Sequence, residues 1–139
     1  MKYTIRILML TMTLLPMMAA AQIQSNRKIQ AKIPFDFVIG SKTIPTGQVT
    51  VQRISLIEGT LVLRNSDANV SMVANFNRVE ANTPSATTSL VFHKYGHRYF
   101  LWRMKVQGSR TMYESLPSRA EAELQARNVP SEEILLALK

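Results

Sequence analysis

The chain has 139 residues, no cysteine, and a net charge of +8 from 17 Lys and Arg against 9 Asp and Glu. A chain of this length fits one domain and can bury a core without disulfides or a structural metal. The lack of cysteine excludes a disulfide scaffold, a thiol nucleophile and a thiolate zinc site. The excess of Lys and Arg predicts attraction to anionic partners.

The first 21 residues have the pattern of a secretory signal peptide. Lys2 and Arg6 precede an apolar run over 7–18, and alanines occupy 19–21. That run is shorter than the ~20 apolar residues that span a bilayer. We expect cleavage after Ala21, which leaves 118 of the 139 residues and, without Lys2 and Arg6, lowers the net charge from +8 to +6. The alternatives are an uncleaved anchor or a buried N-terminal helix. No cysteine follows, which excludes a lipoprotein.

Residues 22–116 are predicted to form an all-β domain. Short segments of alternating apolar and polar residues, such as Ile33, Phe35 and Phe37, are separated by turn residues. About six or seven such strands at close spacing favour a small antiparallel sandwich or barrel-like domain. The predicted strands cover residues 33–39, 48–57, 60–64, 70–76, 90–95, 99–106 and 110–116.

The clearest predicted element is a hairpin that turns at Gly96 and His97. Its second strand has an apolar stripe of even-numbered residues, and the first strand has two apolar residues that are also even-numbered. If these share a face, a three-residue loop places Phe92 opposite Phe100 and buries Trp102. The stripe consists of Phe100, Trp102, Met104 and Val106, and the partner residues are Leu90 and Phe92.

Residues 117–139 are predicted to form a short helical tail. Ser118 followed by Glu121 is a capping box, and strong helix formers continue over 119–127. Pro130 and the acids after it predict the start of a second short helix. Its apolar face would consist of Ile134, Leu135 and Leu138.

Several segments resemble a family of small exported β-proteins that is abundant in acidobacterial genomes. The similarity covers roughly residues 33–124. The family has no established activity, so the resemblance implies an exported β-protein and assigns no catalytic residue. The segments that carry the resemblance are Ile33-Pro34-Phe35-Asp36-Phe37 with Gly40, Ile44-Pro45-Thr46-Gly47, residues 90–96, Arg98-Tyr99-Phe100-Leu101 and residues 116–121.

Cationic and aromatic residues cluster on the hairpin and form the candidate ligand surface. Such a combination suits an acidic glycan or a lipid headgroup, by charge pairing and ring stacking, and it also occurs in single-stranded nucleic-acid sites. Export disfavours nucleic acid. The alternative is a solvated strand face whose Lys and Arg stems cover apolar neighbours. The surface consists of Lys94, Tyr95, Arg98, Tyr99, Arg103 and Lys105, with Tyr99, Arg103 and Lys105 expected opposite the Phe100–Trp102 stripe.

Catalytic and metal signatures are not evident in the sequence. His93 and His97 are the only histidines, too few for a zinc site without nearby acids, and no serine lies in a G-x-S-x-G elbow. We therefore expect no enzyme and no cofactor, and predict a periplasmic or secreted, envelope-associated structural or interaction module. An anionic-ligand binding protein is the alternative. A hydrolase remains only if the fold gathers the scattered acids.

Overall fold

The structure is a computed structural model that describes residues 28–54 and 57–138; the predicted signal peptide lies outside them. Over these residues the prediction of an all-β, sandwich-like fold is confirmed. No helix within these residues is long and apolar enough to cross a membrane. The elements are β1 (Lys28–Ile33), β2 (Phe37–Ile39), β3 (Lys42–Ile44), β4 (Gly47–Arg53), β5 (Thr60–Asn65), β6 (Val70–Glu80), β7 (Thr88–Tyr95), β8 (Arg98–Lys105), β9 (Thr111–Ser115), α1 (Arg119–Ala126) and β10 (Glu132–Leu138).

Strand β6 connects the two halves of the fold. Its first part pairs with β5, which continues to β4 and β1, and its second part, from Phe76, pairs with β9. Strand β9 pairs with β8, and β8 also pairs with β7 and, in parallel, with β2 of the β2–β3 hairpin. The sheet is therefore mixed rather than purely antiparallel, and it folds over itself at β6.

The core lies between the inner faces of the two halves. On β1 and β4 the inward positions alternate along each strand, as a half-buried sheet requires. Phe35 and Phe37 each make an edge-type aromatic contact with Phe92. The most buried large side chains include Phe37, Phe92, Phe100, Ile33, Ile44, Leu61, Leu63, Leu90 and Val49.

The predicted register of the β7–β8 hairpin is wrong near its turn. The loop has two residues, Gly96 with φ 60° and His97, so Phe92 pairs with Leu101 instead of Phe100. Glycine with positive φ at the first of two turn positions suits a type II′ hairpin turn. A bulge then leaves Trp102 without a partner. Beyond it Leu90 pairs with Met104, whereas the predicted register would have paired it with Trp102.

The bulge also changes which side chains are buried. The extra residue interrupts the alternation of side chains along β8. Leu101 and Met104 therefore both face the core, although one residue number is odd and the other even. Trp102 is half-buried and points to the outer face instead of filling the core. The apolar stripe predicted on β8 is therefore interrupted at Trp102.

The second helix predicted in the tail is also wrong. The helix after Ser118 is present as α1, but the residues after Pro130 form β10, which pairs with β7 from Glu132 opposite Lys94 to Leu138 opposite Thr88. Pairing with the free edge of β7 overrides the helix propensity of this segment. Ile134, Leu136 and Leu138 pack on the core, and Leu135 is 56% exposed.

Two short strands lie where we expected polar or turn residues. Strand β1 falls in the segment before residue 33 and adds Ala31 to the core, and β3 falls in the turn region between Gly40 and Pro45. These strands complete the inner faces of the sheet.

Asn65, at the end of β5, is fully buried and ties two turns together. Its amide nitrogen donates to the carbonyl oxygen of Pro45 at 2.7 Å, and its Oδ1 accepts from the backbone N–H groups of Asp67 and Ala68 at 2.9 and 3.0 Å. Asp67 Oδ2 accepts from the backbone N–H of Gln48 at 2.8 Å. We call this arrangement the Asn65 junction.

Thr46 joins two of the segments that carry the family resemblance. Its backbone N–H donates to Asp36 Oδ1 at 2.7 Å, and its hydroxyl donates to the carbonyl oxygen of Ile33 at 2.8 Å. The adjacent Gly47 has φ 141°, and a Cβ there would lie 2.8 Å from Asp67 Oδ2. In this structure both segments contribute backbone anchoring.

Candidate functional site

The structure divides the candidate ligand surface between the two faces of the hairpin. Lys94 and Tyr99 are paired and lie on the core side, where the Tyr99 ring stacks on Phe35 with centroids 3.8 Å apart. The Lys94 ammonium is 3.6 Å from Glu132 of β10. Tyr99 is therefore not on the same face as Arg103 and Lys105, contrary to our expectation.

The other four residues lie on the outer face, and most contact protein groups. Tyr95 is buried, and its hydroxyl accepts a hydrogen bond from Gln125 of α1 at 3.3 Å. Arg98 lies over the Phe100 ring at 5.2 Å. Arg103 Nε donates to Glu114 at 2.7 Å. Lys105 is half-buried and forms no ion pair with the residues that the structure describes.

Helix α1 covers the outer face of the hairpin and is attached there by a buried hydrogen-bonding contact. Glu121 Oε1 lies 2.7 Å from His93 Nδ1, and the two side chains are 4% and 17% exposed. The His93 ring stacks on Trp102 with centroids 4.4 Å apart. The Arg103 guanidinium lies over the same Trp102 side chain, 3.8 Å from the ring centroid. We call this contact the His93–Glu121 junction.

The capping residues of α1 serve both the helix and this junction. Ser118 Oγ accepts from the backbone N–H of Glu121 at 3.1 Å, as the capping motif predicts. The carboxylate of Glu121 bonds His93 instead of closing the box. His93 and His97 are separated in role, because His97 is exposed in the turn. Within residues 28–54 and 57–138 no group of three or more His, Asp or Glu could hold a metal ion.

The outer face of β1, β4, β5 and β6 carries cations that were not part of the candidate ligand surface. Lys28 is opposite Gln52, Lys32 is opposite Gln48, and Arg64 lies between Thr50 and Ser71. Directly opposed residues share a face. We call this surface the basic sheet face; its residues are Lys28, Gln30, Lys32, Gln48, Thr50, Gln52, Val62, Arg64, Ser71 and Val73.

No acidic residue occupies a paired position of the basic sheet face; Asp67 accepts from the backbone N–H of Gln48 at one end of it. Lys28, Lys32 and Arg64 are exposed, and none forms an ion pair with the described part of the chain. Lys28 and Arg64 line a shallow depression of about 100 Å³ whose other walls are Thr50, Gln52 and Val62. Strand geometry puts Lys32 roughly 13 Å from Lys28 along β1, and Arg64 roughly 12 Å from Lys28, because it lies two strands across and two residues along.

A signal for this face was present in the sequence. From Lys28 to Ile33 the residues alternate between cation or amide and apolar side chain, which is the period of a half-buried strand. Residues of β1 are brought beside Arg64 only by pairing through β4, which spacing along the chain does not reveal.

No family model, no curated protein and no solved structure matches the chain. The fold defines an all-β, sandwich-like protein with one short helix in the described residues. The resemblance to the acidobacterial family stays a prediction.

Proposed function

We propose that this protein is an exported, envelope-associated interaction module that binds an acidic glycan through the basic sheet face. The observation that carries the proposal is the acid-free pairing of Lys28, Lys32 and Arg64 with neutral amides and hydroxyls on one open sheet surface. Cations without protein partners retain their full attraction for an external anion.

The neutral residues of the face favour a glycan over a lipid surface. Gln30, Gln48 and Gln52 present amide groups, which donate and accept hydrogen bonds as sugar hydroxyls do. The depression between Lys28 and Arg64 offers a place where a carboxylate or sulfate could meet both cations. Of the large apolar side chains on this face, Val73 is the one that is strongly exposed, at 61%.

The hairpin remains the second candidate surface because two of its cations lack a carboxylate partner. Arg98 is exposed and Lys105 is half-buried, and neither forms an ion pair with the described residues. Lys94 and Arg103 already interact with Glu132 and Glu114, so an anionic ligand would have to compete with those carboxylates.

The test is calorimetric titration with a sulfated or uronic-acid oligosaccharide at two salt concentrations. Replacing Lys28 and Arg64 by Gln should weaken binding about tenfold, since two exposed charge contacts together contribute roughly 1.4 kcal/mol. The matched control, Lys42→Gln with Arg127→Gln, removes the same charge from exposed positions elsewhere and should change affinity less than about twofold. A third protein carries Arg98→Gln with Lys105→Gln.

Three outcomes decide between the surfaces. Selective loss in the Lys28 and Arg64 variant supports the basic sheet face. Selective loss in the Arg98 and Lys105 variant would transfer the site to the hairpin. Equal losses in all three variants would mean that overall charge, without a defined site, attracts the oligosaccharide.

A further inference from the structure

An arginine occupies a core-facing position at the end of β4. Val49 and Val51 point inward, and alternation places Arg53 on the same side, paired with Leu61. A core-facing end position in a sandwich ordinarily holds an apolar side chain. The Arg53 guanidinium donates to the Tyr113 hydroxyl at 3.4 Å and forms no ion pair with the residues described.

Arg53 stands at the mouth of an open cavity between the two halves of the sheet, whose lining is mainly apolar and also includes Ser109 and Tyr113. The cavity has a volume of about 240 Å³. One wall contains the pair Ile29 and Val51, and the facing wall contains the pair Met104 and Tyr113. An apolar cavity of about 150 Å³ already takes up benzene, so this one can hold a short hydrocarbon chain.

The polarity of the cavity changes from its interior to its mouth. Val51, Leu61 and Met104 are at most 4% exposed, whereas Arg53 is exposed and the rim residue Val106 is half-buried. Among the residues that the structure describes, no acid lines the cavity. Glu58 lines the neighbouring depression together with Arg53, but its carboxylate pairs with Arg78.

We propose that this cavity binds a short single-chain fatty acid, with the hydrocarbon chain between the two sheet halves and the carboxylate on Arg53. The guanidinium offers parallel N–H donors that match the two oxygens of a carboxylate. The Tyr113 hydroxyl accepts from Arg53, so its own hydrogen is available to donate to the same carboxylate. The site is separate from the basic sheet face, because Arg53 faces inward and Arg64 faces outward.

The experiment titrates the purified protein with octanoate, octanol and octylammonium, and follows binding by calorimetry and by methyl NMR. Octanoate should shift the methyl signals of Ile29, Val51, Leu61 and Met104 and leave those of Val62 and Val73 unchanged. Octanol should bind at least about tenfold more weakly. A tenfold change in affinity corresponds to about 1.4 kcal/mol, and a hydrogen bond to a charged group contributes more than that. Octylammonium should not bind.

Two variants separate headgroup recognition from chain uptake. Arg53→Gln should lower octanoate affinity about tenfold and leave octanol affinity unchanged, and Arg64→Gln, which removes the same charge from the outer face of β5, should change neither. Val106→Phe should block both ligands at the rim, and a urea melt checks that each variant is folded.

The proposal is overturned if octanoate leaves the four lining methyl groups unshifted. It is also overturned if octanoate and octanol bind equally well and Arg53→Gln affects neither. Oligosaccharide binding to the basic sheet face is measured separately, so failure of one proposal does not imply failure of the other.

Discussion

Two buried polar junctions hold this fold together, and they differ in the groups that they join. The Asn65 junction joins neighbouring turns with a neutral amide that bonds backbone groups on both sides. The His93–Glu121 junction joins β7 to α1 with a carboxylate and an imidazole, 28 residues apart. The first holds the turn after β5 against the turn between β3 and β4, which connects the two halves of the sheet, and the second attaches the C-terminal segment to the half that contains β7.

The comparison shows that cations and aromatic rings on a surface strand can stabilise the fold through contacts within the protein. His93, Lys94 and Arg103 each meet a carboxylate from a later segment. The basic sheet face has similar residues without such partners. The availability of a cation therefore depends on whether an acid from another segment is brought beside it.

The largest effect should come from the Asn65 junction. Asn65→Ala removes the donor to Pro45 and the acceptor for Asp67 and Ala68, and buried backbone groups that lose their partners are costly. We expect the free energy of unfolding in urea to fall by about 3 kcal/mol. The control Asn77→Ala, at an exposed position of β6, should cost under about 0.5 kcal/mol. Similar losses for both would show that Asn65 has no special role.

A smaller loss is expected at the His93–Glu121 junction. Glu121→Ala removes the carboxylate that contacts His93 and should lower the free energy of unfolding by about 2 kcal/mol. Glu123→Ala breaks only a surface pair with Arg119 on the same helix and should cost under about 0.5 kcal/mol. Hydrogen exchange should become faster in α1 for the Glu121 variant. Unchanged exchange there would contradict the role of this contact in attaching the helix.

The smallest expected effect tests whether the segment after Pro130 is a strand or a helix. Leu136 packs partly on the core and Leu135 points outward, so Leu136→Ala should cost about 1.5 kcal/mol and Leu135→Ala under about 0.5 kcal/mol. A helix with the predicted apolar face would make Leu135 the more sensitive of the two. Urea melts of both variants measure the difference, and a greater loss at Leu135 would contradict the strand.

The regions that local pattern predicts well are the strands whose two faces differ. The alternation in 60–64, 70–76 and 110–116 agrees with β5, β6 and β9. The helix after Ser118 follows from a local hydrogen bond between the cap hydroxyl and the Glu121 backbone. These elements need no information from distant segments.

Long-range contacts account for what the sequence did not reveal. Residues 132–138 have helix-forming side chains, and the edge of β7 makes them a strand. The local pattern is compatible with a hairpin that has a two-residue or a three-residue loop. The structure has the two-residue loop and a bulge at Trp102. The candidate surface on the hairpin was chosen by clustering along the chain, and the basic sheet face is assembled by four strands, β1, β4, β5 and β6.

The two neighbours of β7 have a consequence for the order of folding. Pairing with β8 closes a two-residue turn, whereas pairing with β10 requires β8, β9 and α1 to be looped out first. Loop closure makes the distant pairing the slower event, so β10 should join after the folding transition state. Destabilising changes in β10 should then accelerate unfolding and leave the refolding rate nearly unchanged. The segment that covers β7 would set the lifetime of the folded protein.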